Sequence, residues 1–186
     1  MRLILASASP RRAELLKAAG FTFEVLPPVV DEARRTAEPP AVYALRVARE
    51  KAQSAVAFHP DAAILAADTI VVIGDQTLGK PSGSADATRM LRLLSGAEHT
   101  VQTAVVLRVG GGESTQVITT RVRFSPLSPE EIDWYVATGE PAGKAGAYAI
   151  QGHAARFVHW IEGSWSNVVG LPVATVYRML KEAGVT

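Results

Sequence analysis

Ten residues near the start, Leu3-Ile4-Leu5-Ala6-Ser7-Ala8-Ser9-Pro10-Arg11-Arg12, constrain the chain most. The apolar run suits a short buried strand, the serines a turn, and Pro10 the first position of a helix, where no backbone N–H is needed. Ser9 is the natural N-cap. Two arginines then fall in the first helical turn, at the end that already carries roughly half a positive charge. Backbone N–H groups, the hydroxyls of Ser7 and Ser9 and the guanidinium groups of Arg11 and Arg12 gather in one place, and a bound anion such as phosphate resolves the conflict. The simpler alternative is a surface helix whose arginines point into water.

Charge elsewhere makes any such site local. Lys plus Arg number 19 and Asp plus Glu 18, a net charge of +1, which excludes a polybasic nucleic-acid or membrane binder. There is no cysteine, hence no disulfide framework and no thiolate metal site or nucleophile; this is compatible with a reducing cytoplasm. The first apolar run is too short for a signal peptide and none is long enough to span a bilayer. A length of 186 residues with 48% hydrophobic content and no linker or repeat predicts one domain over 1–186.

Periodicity gives the order of elements. A helix is expected over 11–19 and a strand over 21–26, ended by Pro27-Pro28. Asp31 and Glu32 follow in a charged loop. A long helix over 39–58 carries an apolar stripe of Val42, Leu45, Ala48, Ala52, Ala55 and Val56, with Arg46, Arg49, Glu50 and Lys51 read as its outer face. A helix over 84–94 capped by Ser84, a hairpin of 99–109 with 113–124 through three glycines, and a helix opened by the capping box Ser128-Pro129-Glu130-Glu131 come next. His99 reads as structural or solvated. Small residues crowd 143–152, where backbone must approach something closely. A strand over 157–161, a polar loop over 163–167 and a helix over 173–183 complete the chain.

Asp68 stands out. It follows Ala62-Ala63-Ile64-Leu65-Ala66-Ala67, an apolar run fit for a strand buried on both faces, and precedes Ile70-Val71-Val72-Ile73. An acid there is costly to bury unpaired, so it holds a cation, an arginine or a hydrogen-bond network. The turn at Gly74-Asp75-Gln76 predicts a hairpin that returns Lys80 towards the end of the first run.

No Walker loop, dinucleotide-binding glycine motif, zinc-protease motif or nucleophile elbow occurs. What remains is a set of cations with a few carboxylates. That set suits a polyphosphate with Mg²⁺, which takes one or two protein carboxylates and completes its shell with water and phosphate oxygens.

Seven blocks then appear in order: Leu5-Ala6-Ser7-Ala8-Ser9-Pro10-Arg11-Arg12, Ala48-Arg49-Glu50-Lys51-Ala52, Ala67-Asp68-Thr69, Gly79-Lys80-Pro81, Ser95-Gly96-Ala97-Glu98-His99, Lys144-Ala145-Gly146-Ala147-Tyr148-Ala149-Ile150-Gln151-Gly152 and Val168-Val169-Gly170-Leu171-Pro172. Together they resemble the Maf family of nucleoside triphosphate pyrophosphatases from about residue 3 to 172. The resemblance implies an α/β fold of the Maf and inosine-triphosphatase type, a mixed bent sheet flanked by helices with two lobes around a deep cleft. It implies hydrolysis of a nucleoside triphosphate to monophosphate and pyrophosphate with a divalent metal, Mg or Mn. Asp68 matches the family's proton acceptor and metal neighbour; Glu32, and less closely Asp31, its acidic loop near the metal. Ser7, Ser9, Arg12, Lys51 and Lys80 match phosphate-binding positions.

Arg11, Thr69 and Gln151 resemble the dTTP/UTP-hydrolysing branch. An amide at 151 satisfies a uracil or thymine edge, which offers both donor and acceptor, whereas a carboxylate suits a donor-rich purine edge. The 7-methyl-GTP branch has Trp and Glu at positions 11 and 151. The alternatives are a pyrophosphatase of broader or purine preference and a nucleotide-binding regulator of septum formation. Free nucleotide is the expected partner, with no nucleic acid and no membrane. A homodimer rests on the resemblance alone.

Overall fold

The computed structural model describes Met1–Val185. Seven strands form one mixed sheet flanked by helices: β1 (Leu3–Ala6), β2 (Glu24–Val25), β3 (Ala63–Ile73), β4 (Gln76–Leu78), β5 (Glu98–Val109), β6 (Gly112–Phe124) and β7 (Val158–Glu162), in the order β2-β1-β3-β5-β6-β7 with β4 paired to β3. The helices are α1 (Pro10–Ala18), α2 (Pro40–Val56), α3 (Ser84–Leu94), α4 (Pro129–Ala137), α5 (Trp165–Val169) and α6 (Val173–Glu182). Among the described residues no helix is long and apolar enough to cross a membrane. The chain divides into two compact units.

The first unit comprises Met1–Thr69, Thr103–Ile118 and the segment from Gly170 onward. β1 runs parallel to β2 and to β3, with Leu3, Leu5 and Ala6 opposite Ala63, Leu65 and Ala66. Alternation sends Leu3, Leu5, Ala63, Leu65, Ala67, Val105 and Leu107 to one face, where they form a core with Leu16 of α1 and Leu171, Val176, Met179 and Leu180 at the C-terminal end. Each large apolar side chain fully buried there contributes about 2 kcal/mol. α2 packs against β1, and its alanines 44, 48, 52 and 55 are fully or almost fully buried. β1 ends at Ala6 while β3 continues, so the turn into α1 lies at the carboxyl end of β1, where ligand sites of parallel sheets are built.

The second unit comprises Ile70–Gln102 and Thr119–Val169. The expected hairpin pairs Val71 with Leu78 and Ile73 with Gln76. Its core is aromatic: Phe124, Tyr148, His99, Phe157 and Tyr135 meet mostly edge to face. His99 is 2% exposed and its Nε2 lies 2.9 Å from the Tyr148 hydroxyl, so the structural reading holds. The small residues of 143–152 serve approach to the chain itself: a Cβ on Gly146 (φ 69°) would lie 2.8 Å from Val71 Cγ2.

Several local expectations change. The strand over 21–26 shrinks to Glu24–Val25: the Phe21 N–H donates to the Leu16 carbonyl at 3.1 Å, in the turn that closes α1, while Phe21 and Phe23 still pack against the core of the first unit. The two apolar runs around Asp68 are one unbroken strand. Gly83, not Ser84, is the N-cap of α3. The polar stretch 163–167 starts α5, with Ser164 Oγ accepting from the Asn167 N–H. The capping box at Ser128 forms as read.

Candidate active site

Spacing along α2 places one charged residue on its buried stripe: Ala44, Val47, Ala48, Lys51, Ala52 and Ala55 all point inward. Lys51 is therefore only 5% exposed, a correction to its reading as an outer-face lysine: the buried stripe runs through Val47 and Lys51, whereas Val42, expected on it, is 55% exposed. Burial is tolerable only with partners. Lys51 Nζ donates to Asp68 Oδ1 at 2.7 Å and lies 2.7 Å from Glu32 Oε1. Asp68, 8% exposed at the middle of β3, has the compensating charge that its setting demands. A helix, a strand and a loop thus bring one ammonium and two carboxylates together.

The strand–turn–helix start forms the other half of this unit's polar cluster. Ser9 occupies the N-cap position and Pro10 the first helical position, but the Ser9 side chain makes no capping bond. Instead the Ser9 N–H donates to Ser7 Oγ at 3.1 Å. Arg12 is buried and donates to three oxygens of its own chain: Nε to the Gly170 carbonyl at 2.8 Å, Nη1 to Ser7 Oγ at 3.2 Å and Nη2 to Thr69 Oγ1 at 3.0 Å. Two of its five N–H groups remain for a ligand, and Ser7 keeps its hydroxyl proton as a donor. Thr69 Oγ1 also lies 2.9 Å from Thr103 Oγ1. Arg11 is half-buried; burial lowers its pKa, against the opposing charge of Glu14. Burial likewise lowers that of Arg12, with Asp68 acting in the opposite direction. Formal charges of Arg12, Lys51, Glu32 and Asp68 cancel.

Residues that sequence reasoning missed hold the acidic loop. The Tyr43 hydroxyl donates to the Glu32 carbonyl at 2.8 Å. Arg46 reaches the Ala33 carbonyl at 3.0 Å and grips Glu38 with Nε and Nη2 at 2.7 and 2.9 Å. Hydrogen bonding from Arg46 holds the Glu38 carboxyl at about 2. The i,i+4 pair of Arg46 with Glu50 is readable from the sequence; its larger attachment to Glu38 is not. Asp31 is exposed and accepts from the Ala33 N–H in its own turn.

Lys80 and Gln151 belong to the second unit and are exposed. Gln151 lies between two short 3₁₀ turns, Ala145–Ala147 and His153–Phe157. Among the described residues no group of three or more metal-binding side chains gathers.

A family model described as Maf-like protein matches residues 2–183. The chain belongs to the Maf family. Proteins named dTTP/UTP pyrophosphatase are similar along its whole length. One from Anaeromyxobacter dehalogenans (strain 2CP-1) is 52% identical over 98% of this Maf chain and 94% of its own. One from Koribacter versatilis is 51% identical over 100% and 96%, and one from Shewanella oneidensis 49% identical over the full length of both. The mixed sheet with flanking helices agrees with the Maf fold.

Proposed function

We propose that this Maf protein is a nucleoside triphosphate pyrophosphatase acting on dTTP and UTP, releasing the monophosphate and pyrophosphate. The observation that carries the reading is the buried Lys51 set between Asp68 and Glu32, in a chain about half identical to proteins named for that activity. Residues 1–186 are read as one Maf-like domain, since the family match runs through both units.

The carboxylates fit a divalent cation. Each already directs an oxygen at the same positive charge, and an all-oxygen pair suits Mg or Mn, which complete their shells with water and phosphate oxygens. Glu32 and Asp68 would hold it; when bound, such an ion polarises a phosphoryl oxygen and acidifies water. Asp68 orients the attacking water and takes its proton. Lys51, Lys80 and Arg12 balance the charge of the triphosphate and of the departing pyrophosphate. Ser7 and Ser9 donate to phosphate oxygens. Arg11, Thr69 and Gln151 set the base preference, with the Gln151 amide meeting the mixed donor and acceptor edge of a pyrimidine. The substrate is free nucleotide in the cytoplasm, in keeping with the near-zero net charge and the lack of cysteine.

A nucleotide panel with product analysis tests this reading. Pyrophosphate and monophosphate from dTTP and UTP, well ahead of GTP and ATP, are expected. Orthophosphate with nucleoside diphosphate contradicts it.

A further inference from the structure

Gln151 is exposed, on a segment with little regular structure of its own, yet the backbone on both sides of it is fixed. Glu140 is the reason. Its carboxylate, 16% exposed, accepts the Tyr135 hydroxyl at 2.7 Å on Oε1, and the His153 N–H at 3.0 Å and His153 Nδ1 at 2.9 Å on Oε2; the Ala154 N–H reaches Oε1 at 3.4 Å. Tyr135, fully buried, accepts the Ala149 N–H at 3.1 Å on the same hydroxyl. The amides of residues 149, 153 and 154 are thus all satisfied by one side-chain pair carried on, and just after, α4. Gly152 completes the fit, because a Cβ there would fall on the Glu140 carboxylate.

The segment is also strained. The buried Ala147 has a positive φ of 59°, and a left-handed alanine costs about 1–2 kcal/mol. Strain of this kind persists only where the surroundings over-determine it, and it gathers where a side chain must be aimed.

We propose that Glu140, with the Tyr135 it holds, is a positioning residue for base selection. It fixes the backbone on either side of Gln151 so that the amide is presented in one orientation, and the pair therefore sets the preference for pyrimidine over purine triphosphates without touching substrate. This rests on the reading of Gln151 as the base-contacting residue.

Glu140→Gln keeps the volume but turns an NH₂ towards donors, breaking half of the cradle. Tyr135→Phe removes the link to Ala149 and spares the rest. Both variants, Gln151→Glu and the unaltered protein are assayed with dTTP, UTP and GTP. The expected result for Glu140→Gln is a loss of about tenfold in the kcat/KM ratio of dTTP to GTP, the worth of one net hydrogen bond, carried by KM rather than kcat. Tyr135→Phe shifts the ratio the same way by a smaller factor, and the amides of Ala149, His153 and Ala154 exchange faster in whichever variant folds. A purely structural role scales activity down on every nucleotide alike; an unchanged ratio in both variants, while Gln151→Glu does change it, overturns the proposal and leaves the function standing. If the unaltered protein shows no pyrimidine preference, or Gln151→Glu leaves it intact, the reading of Gln151 fails and the proposal fails with it.

Discussion

Lys51 Nζ lies 2.7 Å from Asp68 Oδ1, although one residue sits in the middle of a helix and the other in the middle of a strand. Neither side chain is on a flexible connection. The pair is held by regular backbone on both sides, and the neighbouring positions Val47, Ala48 and Ala52 on α2 and Ala66 and Ala67 on β3 are fully buried.

Replacing Asp68 by Asn leaves the shape and removes the proposed base. Turnover of dTTP is expected to fall by about 10²–10⁴-fold, the usual share of a positioned general base, while nucleotide affinity stays within a few-fold. Steady-state kinetics with a direct binding measurement check this; undiminished turnover ends the assignment of Asp68 as proton acceptor.

Arg12→Lys keeps the charge and discards the planar fork. An ammonium cannot serve Ser7, Thr69 and the Gly170 carbonyl together in the geometry that the guanidinium does. The expected loss is about 1–3 kcal/mol in urea unfolding, since buried acceptors are left unmet, with lower activity even at saturating nucleotide. Native stability and activity in this variant are the outcome expected of a simple phosphate-binding charge.

His99 ties stability to acidity. Burial pushes its pKa down to about 4, so the folded state resists the proton that the unfolded chain accepts near 6.5. The folded protein then binds fewer protons between these values, and stability falls as pH drops from about 6.5 towards 4, by about 3 kcal/mol in all. His99→Gln is expected to flatten the urea midpoint over that window; an equally steep loss assigns it to other groups.

Gly146→Ala combines a positive φ with a methyl 2.8 Å from Val71 Cγ2. Destabilisation of about 2–4 kcal/mol is expected, partly relieved by Val71→Ala in a double-mutant cycle. Additive effects in that cycle show that the backbone conformation, rather than the clash, dominates.

Periodicity and turn chemistry were enough for the elements whose signals are local: the capping box at Ser128, the glycine hairpin between β5 and β6, and the long helix α2. Ordered motifs named the candidate site. Partners remote in sequence were hidden. Nothing near Lys51 announces that Glu32 and Asp68 neutralise it, and a stripe drawn through apolar residues alone leaves it on the outer face. Nothing near Glu38 reveals its burial against Arg46. The Gly170 carbonyl is a backbone group, and Val168-Val169-Gly170-Leu171-Pro172 records only that the chain turns there. The same holds for Arg121, which pairs with Glu98 and Glu162 across the strand surface.

The bond from Arg12 to Gly170 spans 158 positions of chain, which gives the site an order of manufacture. Arg12 leaves the ribosome 158 residues ahead of its Nε acceptor. At about 5–20 residues per second, the guanidinium waits on the order of 10–30 s for that carbonyl, kept in water or on a transient partner. A chain interrupted before residue 170 has made every charged group of the first unit's polar cluster and still cannot close the hydrogen bonds around Arg12. The turn from Ser7 to Arg12 is thus made long before it can be finished.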